Sequence, residues 1–510
     1  MKLLDCTIRD GGYYTNWDFD QNLIKEYAIT MENLPIDYIE VGYRSIALEG
    51  YYGKYFYCPI YVLEELKKLM PSKKMVIILN EKDIRSEHLE DLLSPIKPFI
   101  SLVRIAVDPK NIERAIILAK SVKKLGFELA FNVMYMSNWK TNASFLDSLK
   151  KLDNTLDFFY MVDSYGGILP SETKEIINLV KSKTRIPLGF HGHDNLHMGL
   201  INTITALDEG CVIVDSTITG MGRGAGNLKT ELLLTYLESK GKLTFDFNQL
   251  ASLVSKFEKL KLTHNWGANL PYMFSGAHSL PQKDVMDWIG TNRYSLSSIL
   301  NALNNKKLTL DDNIKLPLFN SSKTYTKAII VGGGESLNYS KKAIHRLLEL
   351  NENIALINVG LKSVRTFSNV KNDKFICLVG VENEEDIISI TSNETNTKLI
   401  YSPFPRTMGT SISNQAVKSL SSELNSISFT SSPNDSPFTL AAQLSIDLNV
   451  KEVFLAGFDG YNTTINKNQS LLEKENQNII NDLGSKTNLF SLTPTKYDNI
   501  KLLSIFSLLK

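Results

Sequence analysis

Short runs rich in apolar and β-branched residues alternate along the first half of the chain with longer runs whose apolar positions recur every three to four residues. The short runs lie at 3–8, 37–42, 75–79, 101–106, 127–133, 158–162, 187–191 and 212–215. The longer ones fill the gaps, as at 21–32, 60–70, 112–125, 172–181 and 196–207. A strand followed by an amphipathic helix, repeated, predicts βαβ units and a parallel sheet. Eight repeats in series predict an α/β fold whose sheet closes as a (β/α)8 TIM barrel. An open doubly wound sheet is the rival, and it is unusual with so many strands in a row.

Helical and mixed segments continue to about residue 304. The stretch NNKKLTLDDNIKLPLFNSSKTYT, 304–326, is polar, contains a proline and has no strong period, so it reads as a linker. The βα rhythm then restarts, with strands at 327–331, 354–359, 375–379, 399–401 and 452–456 and helices at 341–350 and 439–448. The expected organisation is a barrel domain with trailing helices over 1–303, a linker over 304–326, and a second, Rossmann-like α/β domain over 327–510.

Composition narrows the function classes. Lys and Arg number 56 against 55 Asp and Glu, a formal charge of +1, and no basic stripe stands out. Nucleic acid is therefore not an expected partner. The four cysteines, Cys6, Cys58, Cys211 and Cys377, share no CxxC spacing, which points away from zinc ribbons and disulfides and toward a reduced, cytoplasmic protein. The opening MKLLDCTIRDGG is broken at Asp5, unlike a signal peptide, and no stretch approaches the ~20 apolar residues of a membrane span.

In a barrel of this kind chemistry belongs at the C-terminal ends of the strands. Strand one runs into Arg9-Asp10-Gly11-Gly12, strand seven into His191-Gly192-His193-Asp194-Asn195, and strand eight into the glycine-rich loop TITGMGRGAGN, 217–227. Closure makes strand eight the neighbour of strand one, so these three loops converge. His191 and His193 alternate on one strand and point the same way. With the Asp10 carboxylate they make a mixed N/O metal site; a polar strand end without metal is the alternative reading. His88, His264 and His345 read as surface or capping residues.

The combination DCTIRDGG, FHGHDN and GMGRGAGN resembles the metal-dependent aldolase, lyase and acyl-transferase superfamily that includes 3-hydroxy-3-methylglutaryl-CoA lyase, isopropylmalate synthase and 4-hydroxy-2-oxovalerate aldolase. VDSYGGILP and VDSTITGMGRGAGNLKTELL are similar to the last of these, and the resemblance covers about residues 1–280. It implies that Asp10, His191 and His193 hold a divalent metal, Mn2+ or Mg2+ with Zn2+ as a third candidate, and that Asn227 joins them directly or through water. It also implies that Arg9 stabilises an enolate oxygen and that Ser164 holds a keto-acid carboxylate, with Asp163 orienting a neighbour. Glu40 and Arg44, in IEVGYRS, are further candidates at the end of strand two, and Tyr272, in NLPYMFSGAHS, is a candidate to cover the mouth.

Two departures from the family pattern stand out. Where the hydroxyoxovalerate aldolases carry a histidine as general base, three residues after the metal aspartate, this chain has Tyr13, a weaker base. The strand-eight loop has Met221 and Arg223 and lacks the cysteine of the hydroxymethylglutaryl-CoA lyases. The expected activity is a carbon–carbon lyase acting on a 2-oxo acid such as pyruvate and an aldehyde, in sugar or cell-surface polysaccharide metabolism, in a homo-oligomer. An acyl-CoA Claisen-type synthase or lyase is the alternative.

In the second half, AIIVGGGES is a strand, a glycine turn and a helix start, an arrangement suited to an anion. The segment 436–461 resembles the Rossmann-like domain of sialyltransferase-like glycosyltransferases, motility-associated glycosyl-transfer factors and hydroxymethylpterin diphosphokinases. That resemblance implies a nucleotide or nucleotide-sugar site bordered by Gly332, Gly333, Gly334 and Asp459. A glycosyl-transfer protein in which the barrel only supports is the second function class.

Overall fold

Eight parallel strands close on themselves between residues 2 and 216 in the computed structural model. They are β1 (Lys2–Asp5), β2 (Tyr38–Tyr43), β3 (Lys74–Asn80), β4 (Ile100–Val107), β5 (Glu128–Val133), β6 (Phe158–Asp163), β7 (Leu188–Gly192) and β8 (Ile213–Ser216). Each pairs with the next, and β8 returns to β1 with Leu4 opposite Asp215, which completes the TIM barrel. Helices such as Gln21–Asn33, Ile112–Lys124 and Pro170–Lys181 lie between the strands. The structure describes residues 1–291, 293–361, 363–367, 370–392, 396–461 and 467–509. It divides into two units, Met1–Lys283 and Asp284–Lys510. No helix among the described residues is long and apolar enough to cross a membrane.

One element differs from expectation. The run at 3–8 is strand only to Asp5, and Thr7–Thr15 is a short helix. The cause is local: an Asp5 carboxylate oxygen accepts the Thr7 N–H at 2.9 Å, and the Cys6 carbonyl accepts the Asp10 N–H at 2.9 Å. The chain is therefore turned into a helix as soon as it leaves the sheet. Glycine lets this helix lie flush, because a Cβ on Gly11 would stand 2.5 Å from the Met221 sulfur and one on Gly12 would stand 2.1 Å from the Trp17 ring.

Strand periodicity sorts the lumen into layers. Leu4, Tyr38, Val76, Leu102, Ala130, Tyr160 and Ile213 pack as one apolar cluster. Two residues further along their strands come Glu40, Arg104, Asn132 and Asp215, all buried. The apolar layer thus floors a charged layer nearer the C-terminal strand ends. A larger apolar cluster fills the space between sheet and helices.

The second unit holds a wholly parallel sheet of β9 (Lys327–Val331), β10 (Ile354–Val359), β11 (Lys374–Leu378), β12 (Thr397–Tyr401), β13 (Ser421–Glu423), β14 (Glu452–Ala456), β15 (Asn488–Ser491) and β16 (Lys501–Leu502). Its order is β13-β12-β11-β10-β9-β14-β15-β16, so the winding reverses between β9 and β14. That reversal is the hallmark of a doubly wound, Rossmann-like sheet. The segment 304–326 belongs to this unit, where Asn313 bridges Thr410 and Leu318 bridges Glu423.

Candidate active site

The charged layer of the lumen is a closed circuit of buried groups. Arg9 Nη1 meets Asp10 at 2.6 Å and its Nε meets Glu40 at 2.6 Å. Glu40 in turn faces Arg104 Nη1 at 3.3 Å, and Arg104 Nη2 meets Asp215 Oδ2 at 2.6 Å. The same Asp215 oxygen holds His191 Nδ1 at 2.8 Å, and His191 Nε2 lies 3.8 Å from Asp10 Oδ2, which closes the circuit. Arg104 also donates from Nε to Asn132 at 2.6 Å and lies 4.1 Å from the centre of the Tyr160 ring. Signs alternate from Asp10 through Arg9, Glu40 and Arg104 to Asp215, which makes such burial tolerable, since an isolated charge there would be costly.

The circuit sets protonation states. Burial alone would raise the Asp10 carboxyl, but Arg9 and the two histidines hold it below the usual carboxylate range. Asp215 is likewise held down by Arg104 and His191 against the effect of burial. His193 is pushed down to about 4, first by burial and then by His191, so its ring is neutral at pH 7.

Both histidines are aimed. His191 Nδ1 is taken by Asp215, and His193 Nδ1 is taken by the Asp163 carbonyl at 2.8 Å. A histidine whose Nδ1 is engaged in this way presents the Nε2 lone pair as its free ligand. Ligand atoms of Asp10, His191 and His193 lie within 4.8 Å of one another. Asn227 donates its amide to Asp10 Oδ2 at 2.5 Å, while its own Oδ1 is buried without a hydrogen-bond partner among the described residues. Two aimed imidazoles, one ionised carboxylate and an orphaned amide oxygen fit a divalent cation. A second grouping, Cys6, His191 and Asp215, fits poorly. Burial pushes the Cys6 thiol up, and Asp215 is already held by Arg104 and His191.

A cavity of about 150 Å3 opens on this cluster, and Arg9, Asp10, Tyr13, Asn132, Ser164, His191, His193 and Arg223 are among the residues that line it. The Tyr13 and Tyr43 hydroxyls lie 3.1 Å apart, and burial, with Tyr13 beside it, pushes the Tyr43 phenol well up. Ser164 Oγ accepts the Tyr135 N–H at 2.8 Å, and no acceptor among the described residues takes its own hydrogen.

Other expected residues lie elsewhere. Arg44 donates to the carbonyls of Leu92, Tyr57 and Cys58 and does not line the cavity. Asp163 turns its side chain to the Gly166 and Ile168 N–H groups, so it shapes the strand-six loop, and burial pushes its carboxyl up to about 7. Tyr272 is buried behind the glycine-rich loop, with its ring 3.4 Å from where a Cβ on Gly224 would stand. In the second unit, Gly332–Gly334 follow β9 and Asp459 follows β14, at the reversal of the sheet. Asp459 Oδ2 accepts the Ser336 N–H at 2.8 Å, so the chain's own carboxylate occupies the N-terminus of the helix Ser336–Leu350.

Arg104, Asp215 and Asn132 were not among the expected site residues. Their signal was present: a single charge or amide inside an otherwise apolar strand has to find a partner in the lumen.

Comparison with known proteins bears on the barrel. The HMGL-like family profile matches residues 103–257. A crystal structure of the N-terminal domain of a protein provisionally described as an aldolase, from Bacteroides vulgatus, is 53% identical, with a TM-score of 0.57. It covers 59% of this chain and 100% of that one. The 4-hydroxy-2-oxovalerate aldolase of Bacillus cereus (strain ATCC 10987 / NRS 248) is 26% identical over 261 residues, 50% of this chain and 75% of its own length. The oxaloacetate decarboxylase of Mycobacterium tuberculosis (strain ATCC 25618 / H37Rv) is 24% identical over 242 residues, 47% of this chain and 71% of its own length.

Proposed function

Because this chain belongs to the HMGL-like family of TIM-barrel aldolases and lyases, we propose that its barrel makes or breaks a carbon–carbon bond next to the carbonyl of a 2-oxo acid. The observation that carries the reading is the convergence of Asp10, His191 and His193, with Arg9 beside them, on one small cavity. Asp10, His191, His193 and Asn227 are the residues to hold the divalent metal. When bound, the metal supplies Lewis-acid stabilisation of negative charge building on the carbonyl oxygen.

The chain's own groups do the rest. Arg9 is pinned by Asp10 and Glu40 through Nη1 and Nε, so its guanidinium plane is fixed before substrate arrives. No bond among the described residues takes its Nη2, which is left to donate to an enolate oxygen, a preorganised interaction that costs no reorientation. Ser164 donates to the acid's carboxylate. Tyr13, hydrogen-bonded to Tyr43, is the hydroxyl that holds and returns the proton moved when the aldol C–C bond breaks or forms.

The test is exchange of the pyruvate methyl protons in D2O, followed by NMR, together with metal content. Wild-type protein is expected to exchange them and to co-purify with or take up Mn2+. Asp10→Asn and His191→Ala are expected to lose both properties. Full metal content and wild-type exchange in these variants would overturn the reading.

A further inference from the structure

Resting on the 2-oxo acid reading, we propose that Arg223 forms a second anion subsite at the cavity, and that the substrate is a diacid whose reacting partner fragment carries its own carboxylate. The charged groups lining the cavity are Arg9, Arg223 and Lys283 against the single carboxylate of Asp10, three cations to one anion and so a net of +2. The two internal arginines already have carboxylate partners: Arg9 has Asp10 and Glu40, and Arg104 has Glu40 and Asp215. Arg223 differs, since no carboxylate among the described residues pairs with it.

Its position is built. Arg223 sits within the glycine-rich loop after β8, between Gly222 and Gly224. A Cβ on Gly222 would stand 2.4 Å from the Asn227 amide, and one on Gly224 would stand 1.9 Å from Gln282 Oε1, so the loop is tightly packed on both sides of the arginine. Gly224 also has φ +67, a conformation that glycine adopts freely. The half-buried Arg223 guanidinium lies 5.3 Å from the centre of the Tyr13 ring, a cation–π contact that orients it without neutralising it. A cation held half-buried and without a counter-ion at a ligand cavity is a site for an anion that the ligand brings, and a planar guanidinium matches a carboxylate by forked hydrogen bonds.

Size bounds the unit held inside. A void of ~150 Å3 is that of an engineered cavity that takes benzene, about six heavy atoms. A cavity of about 150 Å3 therefore holds a pyruvate unit, and the carboxylated partner fragment extends beyond it along the wall that Arg223 lines. The relatives named for 4-hydroxy-2-oxovalerate are named for a substrate that ends in a methyl group, so the subsite separates this chain's substrate from theirs. In the cleavage direction the C3–C4 bond of a 4-hydroxy-2-oxo diacid breaks. Its electron pair goes to C3 as the enolate, the C4 hydroxyl proton leaves to a base, and C4 departs as a carboxylated aldehyde.

Two stable 2-oxo acids isolate the subsite without requiring turnover. 2-Oxovalerate and 2-oxoglutarate differ only in a methyl against a carboxylate at C5. Titration calorimetry on the 510-residue chain supplied with Mn2+ is expected to show 2-oxoglutarate binding at least tenfold more tightly. Arg223→Gln is expected to bring the diacid down to the affinity of the monoacid, and Arg223→Lys to keep part of the difference. Equal affinities in the wild type, weakening of both acids alike in Arg223→Gln, or binding of neither would overturn the proposal. Pyruvate proton exchange, measured separately, tells whether the 2-oxo acid reading itself has failed.

Discussion

Arg104 on β4 and Asp215 on β8 meet across the barrel lumen at 2.6 Å, through the same carboxylate oxygen that holds His191 Nδ1 at 2.8 Å. One side chain thus balances a buried guanidinium and aims a candidate metal ligand. Asp215→Asn keeps the volume and removes the charge. Its affinity for Mn2+ is expected to fall by roughly 10–100-fold, the usual effect of losing a partner that orients a metal-ligating histidine. Competition with a fluorescent chelator measures it, and an undiminished affinity would show that His191 needs no such support.

Arg104→Met acts on the other half of that pair. It leaves Asp215 buried without its guanidinium and Glu40 with Arg9 alone, and it is expected to cost about 3–5 kcal/mol in urea unfolding. A loss below ~1 kcal/mol would mean that water or a shift of Arg9 already screens those carboxylates.

Tyr13→Phe keeps the ring beneath Arg223 and deletes the hydroxyl that meets Tyr43. Turnover with a hydroxy-oxo acid is expected to drop by about 10²–10⁴-fold, the range for one positioned proton-transfer group, with Mn2+ binding retained. Near-normal turnover would assign the proton step to another group.

In the second unit, Asp459→Ala exposes the N-terminus of the helix Ser336–Leu350, because the Ser336 N–H loses its acceptor. The expected loss is about 1 kcal/mol in denaturant unfolding, as for a helix cap. If the variant instead gains stability on addition of phosphate or a nucleotide, the glycine turn at Gly332–Gly334 binds an anion once its internal carboxylate is gone.

Glu382 gives the unit a pH dependence. Burial is the main cause that pushes its carboxyl up from 4.5 to about 7, opposed by a hydrogen bond to Ser298. The fold therefore favours the protonated form. Its contribution is fully present below pH 4.5 and declines as the unfolded chain ionises first; it is lost above about pH 7, where the half-buried carboxylate must form. Relative to wild type, Glu382→Gln is expected to melt progressively higher as pH rises from 4.5 to 8. A difference in melting temperature that does not vary with pH would contradict the shift.

The strands were legible because alternation and β-branched content mark them directly; the expected runs at 327–331, 354–359 and 452–456 coincide with β9, β10 and β14. Asp10, His191 and His193 were legible because they sit in short polar strings just past apolar strands, and closure of the barrel brings such strings together. Arg104 and Asp215 were not, because each is one polar letter inside an apolar run, and only closure of the barrel, which sets β4 across the lumen from β8, shows what each meets. The helix at Thr7–Thr15 was hidden by β-prone residues whose conformation is decided by the Asp5 and Cys6 hydrogen bonds. The Asp459 carboxylate reaches Ser336 across 123 positions, a separation that no local pattern encodes.

The buried circuit that runs from Asp10 through Arg9, Glu40, Arg104, Asp215 and His191 back to Asp10 has a consequence for inheritance. Its members are in contact, so substitutions among them are not independent. The first replacement bears most of the loss, and a second at a neighbouring member adds little or restores balance. Such positions drift only as matched sets, and in related chains a changed sign at 104 is expected to travel with a changed sign at 40 or 215.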